Sequence, residues 1–132
     1  MITRLACMSA LALSACSTSA LTAGGPLVGD WGGVHAALSL TTNGGTITYD
    51  CATGVISEPV RSLGSGDFTA TGFHMRGHGG PVRIGEVVDS VPARYTGRVS
   101  GTQMRLQVFA GADTLGPFDL RLDAAPQLFR CL

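Results

Sequence analysis

Val34-His35-Ala36-Ala37-Leu38-Ser39-Leu40-Thr41-Thr42-Asn43-Gly44-Gly45-Thr46-Ile47-Thr48-Tyr49-Asp50-Cys51 is the stretch whose reading decides the fold. Apolar and polar residues alternate on both sides of Asn43-Gly44. Val34, Ala36, Leu38 and Leu40 share one face of the first arm, and Ile47, Tyr49 and Cys51 share one face of the second. A period of two is that of a strand with one buried face. Asn-Gly is a preferred pair for a type I′ hairpin turn. A two-residue turn there pairs Leu40 with Ile47, Leu38 with Tyr49 and Ala36 with Cys51, apolar with apolar each time. His35, Ser39, Thr46, Thr48 and Asp50 fall on the opposite, wetted face.

Working outward, Ala93, Tyr95, Gly97 and Val99 alternate with Arg94, Thr96 and Arg98, and Ser100-Gly101 supplies a second turn. Pairing across it sets Val99 against Thr102, Gly97 against Met104 and Tyr95 against Leu106. A slip by one residue would bury the arginines. Further strands are expected at Asp67–Met75, where Gly72 suggests a bulge or bend, at Phe118–Leu122, and at the terminal Leu128–Leu132. Arg76–Ser90 reads as a long connection with Gly-Gly-Pro at its centre and a short strand at Val82–Val88. The 19 glycines and the lack of any helical periodicity complete an all-β reading. The expected architecture is a small antiparallel meander, closed or partly closed as a barrel of roughly six to eight strands. Tyr49, Leu38, Leu40, Tyr95, Met104 and Leu106 are bulky enough to fill it.

Gly29-Asp30-Trp31 resembles the Gly-x-Trp motif of the lipocalin and calycin barrels. The resemblance implies a calycin-like barrel and a late basic residue, Arg130, packed across Trp31. Before it, Met1-Ile2-Thr3-Arg4 and the uncharged run Leu5 to Leu13 have the layout of a secretory signal. Leu13-Ser14-Ala15-Cys16 resembles the lipobox of bacterial lipoproteins. That resemblance implies cleavage before Cys16 and lipidation of its thiol. Residues 1–15 then form the signal peptide, 16–28 a lipidated cysteine and tether, and 29–132 the barrel domain. Ser17, in place of the aspartate that retains lipoproteins at the inner membrane, implies an outer-membrane protein facing the periplasm. Trp31-Gly32-Gly33-Val34-His35 and His78-Gly79-Gly80-Pro81-Val82-Arg83 are similar to segments of other small envelope lipoproteins. In that oxidising compartment Cys51 and Cys131 are expected to form a disulfide. A metal pair is the alternative, although neither has a second ligand at zinc-like spacing.

Basic and acidic residues balance at nine each, and every basic residue is an arginine. With no basic block and no aromatic–basic interleaving, nucleic-acid binding has no support. His74 and His78 are four apart, but their segment is Gly-rich and not helical, and the third ligand a zinc site needs, Glu86, Asp67 or His35, could be recruited only by folding. No cofactor or metal is expected. No serine lies in a nucleophile elbow, and Gly64-Ser65-Gly66 reads as a turn. Arg94, Arg98 and Arg105 gather on one outer face, where Asp67 and Asp119 can neutralise them. Ser62-Leu63-Gly64-Ser65-Gly66 resembles the recognition loop of lipoprotein lysozyme inhibitors, without the lysine and tyrosine that follow it there. The expected role is a non-catalytic binding module, anchored to the membrane by lipid, for an envelope protein or a small ligand. A periplasmic hydrolase or an inhibitor of an envelope-degrading enzyme is the alternative. The candidate binding region is the Arg76–Ser90 connection with His78, Arg83 and Glu86, and His74 at its edge, because irregular segments on a rigid barrel are where binding residues concentrate.

Overall fold

A computed structural model describes residues 26–131. The signal segment, Cys16 and most of the expected tether lie outside the described residues. Eight antiparallel strands close into a barrel in sequential order: β1 (Gly29–Gly33), β2 (Ala36–Thr41), β3 (Gly44–Tyr49), β4 (Ala52–Ile56), β5 (Asp67–Arg76), β6 (Ser90–Ser100), β7 (Gln103–Ala110) and β8 (Asp113–Leu122). β1 pairs with β8 through Trp31–Leu122 and Gly33–Leu120, so no sheet edge is left open. Ordered pairing begins before Gly29, since Pro26 bridges Arg61 and the Leu27 N–H donates to the Val60 carbonyl (2.7 Å).

Both expected hairpins form, and both are shifted by two residues from the expected register. Leu38 faces Ile47 and Ala36 faces Tyr49, so the turn is Thr42-Asn43. Tyr95 faces Val108 and Gly97 faces Leu106, so the second turn is Gly101-Thr102. A slip of two leaves every side chain on its own face, which is why alternation could not detect it. The physical reasons are local. The Thr41 hydroxyl donates to the Gly44 carbonyl and accepts from the Asn43 N–H (both 3.3 Å), which stabilises the earlier turn. Gly44 and Gly45 are used for close strand approach: a Cβ at either would sit 2.3 Å from the Ile56 oxygen or 2.6 Å from the Ser39 oxygen. Gly101 takes the first central position with φ +58°, as Gly111 does between β7 and β8 with φ +60°. Glycine first is the type II′ placement.

Other boundaries move as well. Val34 and His35 form the β1–β2 turn, so Val34 is exposed and does not share the core face. β4 was not anticipated. Asp50-Cys51 is the β3–β4 turn, so Cys51 is exposed and not inward-facing. Val82–Val88 is not a strand, and neither is the expected Leu128–Leu132 element over its described residues, Leu128 to Cys131. The ladder runs through Gly72 with no register shift, and among the described residues a bulge sits instead between β7 and β8, at Leu106/Val108.

The interior is packed large against small, as a narrow barrel requires. Phe68 lies over Gly97, Tyr95 over Gly54, and Ile47 faces Gly54. Trp31, Leu38, Leu40, Tyr49, Tyr95, Met104 and Leu106 are all buried in one core. The outer strand positions carry Ser39, Thr46, Thr48, Thr69, Arg94 and Arg105, exposed or nearly so. This apolar-in, polar-out barrel is the reverse of a membrane-spanning one.

Candidate functional site

The register assigns the connections to two ends. The entry of the chain at Pro26, the Thr42-Asn43 turn, residues 57–66 and the Gly101-Thr102 turn share one end. Val60, fully buried, plugs it together with Leu27. The other end carries the turns at Val34-His35, Asp50-Cys51 and Gly111-Ala112, and the connection 77–89.

That connection has a small polar frame. His78 Nδ1 donates to the Gly79 carbonyl (2.9 Å), and Nε2 pairs with the Glu86 carboxylate. Both ring nitrogens face acceptors, so the Gly79 carbonyl first and Glu86 second raise the His78 pKa. The second Glu86 oxygen accepts the Arg83 N–H (2.9 Å), and the Glu86 N–H returns to the Arg83 carbonyl (3.1 Å). The Arg83 N–H, and then His78, hold the Glu86 carboxyl below its ordinary value. Three of the four expected residues therefore come together, although Arg83 acts through its backbone. From this frame Val82, Ile84, Val87 and Val88 project as exposed aliphatic side chains. Beneath lies a groove of about 620 Å³ bounded by Tyr49, Met75, Val87, Val88 and the cysteine pair.

The expected Cys51–Cys131 disulfide is present, with Cα atoms 5.0 Å apart. It joins the β3–β4 turn to the C-terminal segment, which returns along the outside of β1 and β2. Gln127 exchanges backbone hydrogen bonds with His35 (2.8 Å) and Gly33 (3.0 Å). Asp50 accepts the Phe129 N–H (2.9 Å) and pairs with His35 Nδ1 (2.5 Å), and His35 packs on the Phe129 ring at 5.0 Å. Those contacts, the Phe129 N–H foremost, lower the Asp50 pKa.

His74 is not at the edge of the loop. It points into the barrel, 3% exposed, with its ring 5.6 Å from Tyr49. The alternation Phe68, Ala70, Gly72, His74 already carried that signal. Burial first, and Arg76 second, lower its pKa, so the imidazole is neutral at pH 7. Its Nδ1 and the Tyr49 hydroxyl have no hydrogen-bond partner among the described residues. The neighbouring Tyr95 hydroxyl donates to the Phe73 carbonyl (2.8 Å), and burial pushes its pKa up to about 12. Burial first, and the adjoining Tyr95 hydroxyl second, push Tyr49 up further. A second groove of about 510 Å³ opens beside His74, between Cys51, Ala52, Thr114 and Leu115. Arg76 stands on its rim, paired with Asp113 (2.5 Å) and 4.0 Å from Asp89.

The arginine face is largely occupied. Asp67 takes Arg98 through two bonds (2.7 and 3.2 Å), and Arg94 lies 4.9 Å over Phe109. Arg98 faces Arg105, and a flank groove of about 570 Å³ beside them also meets Asp119 and Arg121. Arg130 is exposed, and the cation–π contact among the described residues is that of Arg94, not one over Trp31. Ser65 donates to Asp67 (3.1 Å) at the plugged end. Among the described residues no three His, Cys, Asp or Glu side chains converge as metal ligands. No protein-family model, curated protein or solved structure matches the chain.

Proposed function

We propose that this chain is a lipid-anchored envelope protein, held through Cys16, and that it is a non-catalytic binding module. Its binding end is the one that carries residues 77–89. The observation that carries the reading is the exposure of Val82, Ile84, Val87 and Val88 together on a segment framed by His78 and Glu86. Clustered exposed apolar side chains on a soluble fold mark an interaction surface. The chain enters the barrel at the opposite end, so an anchor there leaves this end directed toward the periplasm and a protein partner. A hydrolytic reading meets a chemical obstacle. His78 and Glu86 form an imidazole–carboxylate pair, but the adjoining groove offers neither a serine nor a free thiol.

Site-specific photo-crosslinking in cells tests the reading. A crosslinker at Ile84 or Val87 should capture a discrete adduct that the same group at Thr46, on the barrel wall, does not. Ile84→Ser with Val87→Ser should abolish the adduct from a crosslinker at Val82 and change stability by less than about 0.5 kcal/mol, as at other exposed positions. Equal adducts from both surfaces would refute docking through this end. A Cys16→Ser chain that still fractionates with membranes would refute the anchor.

A further inference from the structure

The two ends of the barrel are finished differently. One is sealed by Val60. At the other, two polar side chains, His74 (3% exposed) and Tyr49 (6%), lie side by side with His74 Nδ1 and the Tyr49 hydroxyl unpartnered among the described residues. A buried polar group without a partner is destabilising, so such a pair is expected where something else completes it. Each group lines one of two grooves, and the grooves share Cys51, Ala52, Arg76 and Gly77. Apolar side chains form part of the walls, Met75, Val87 and Val88 in the first groove and Leu115 in the second, and behind Tyr49 the Phe118 ring packs with centroids 5.5 Å apart.

We propose that this mouth binds a small, neutral, largely apolar molecule whose amide or hydroxyl head hydrogen-bonds to His74 Nδ1 and the Tyr49 hydroxyl. The neutrality follows from the charges around it. Asp113 and Asp89 already hold Arg76, the nearest cation, and His35 and the Phe129 N–H hold Asp50. His74 and Tyr49, the groups that would meet the head, are buried and uncharged, so a charged head would be desolvated against them without a counter-charge at that depth. A neutral imidazole and a phenol together present both a donor and an acceptor, which matches an amide or a hydroxyl. The apolar body would lie under Val87 and Val88, in the groove beneath the 77–89 connection. The proposal rests on the binding reading above and adds the ligand's chemistry.

The test uses three probes of one shape, benzamide, benzoate and benzylamine, added to the disulfide-intact chain carrying Cys16→Ser and followed by NMR. Benzamide should saturably shift the His74 imidazole and the amides of Tyr49, Ala52 and Leu115. Benzoate and benzylamine should bind at least about tenfold more weakly, as an unpaired desolvated charge requires. Tyr49→Phe should weaken benzamide about fivefold, the worth of one hydrogen bond, with spectral dispersion retained. His74→Gln, which keeps a hydrogen-bonding group, should weaken it less than His74→Phe. Equal binding of all three probes, no shift at His74, or an unchanged affinity in Tyr49→Phe and both His74 variants would overturn the proposal. Crosslinks from Ile84 that persist in that event would leave the docking surface standing without this ligand. Benzamide binding without crosslinks would remove the docking surface and leave the ligand site.

Discussion

At the residue scale this barrel depends on where side chains are missing. Gly72 faces inward on β5, and a Cβ there would sit 1.8 Å from the Val55 carbonyl oxygen. That neighbour is backbone and cannot rotate away. Gly72→Ala is therefore expected to destabilise the domain by at least about 2 kcal/mol, within the usual range for overpacking. Gly64 is the control, with open space around its would-be Cβ and no left-handed φ. Gly64→Ala should be neutral or stabilise by roughly 0.4–1 kcal/mol by restricting the unfolded chain. Chemical denaturation of the two variants decides the point, and equal midpoints would contradict it. Glycine content was plain in the sequence. Which glycines serve turns and which admit a neighbouring strand was not, because that depends on how closely another element passes.

At the element scale the 77–89 connection is held by titratable groups. His78 has a raised pKa, so its contribution is complete below its ordinary value of 6.5 and is lost as pH rises through the raised one. Glu86 has a lowered pKa, so its contribution is complete above 4.5 and is lost as pH falls through the lowered one. Both contributions are complete between pH 4.5 and 6.5, where the frame is firmest. NMR titration should place the His78 midpoint above 6.5. Glu86→Gln should move it back toward 6.5 but not fully, since the Gly79 carbonyl remains and is the larger cause. A midpoint that ignores the substitution would show that the pair does not frame the connection. Sequence reading placed His78, Arg83 and Glu86 on one irregular segment correctly. It grouped His74 with them by proximity along the chain, whereas the period of two in β5 turns that side chain into the barrel.

At the scale of the whole molecule, barrel closure and the disulfide are separate constraints. Closure is made by β1 against β8, while Cys51–Cys131 ties down the segment that follows β8 and spans 80 residues of sequence. A loop of that length removes about 4–5 kcal/mol of unfolded-state freedom in the chain-entropy model. Cys51→Ser with Cys131→Ser should lower stability by up to about that amount and leave a folded barrel. Hydrogen exchange should lose protection first at His35 and Gln127, the donors that hold the segment. Global unfolding of the double variant at room temperature would show instead that the segment is part of the cooperative core.

The sequence by itself determined the all-β class, the faces of the main hairpins, the filling of the interior and the partnership of the two cysteines. Each follows from a local period or from residue chemistry. Register was left to the tertiary structure, because a shift of two residues preserves every face. β4 was left to it as well: its inward positions are Ala52, Gly54 and Ile56, a weak apolar signal, and Gly54 is required by the Tyr95 hydroxyl passing over it from β6. The site divided in the same way. The polar frame of the 77–89 connection is local and was legible. The meeting of His74 with Tyr49 brings together residues 25 apart across the mouth of a closed barrel, and only closure creates the low-dielectric enclosure that leaves their polar atoms in want of a partner.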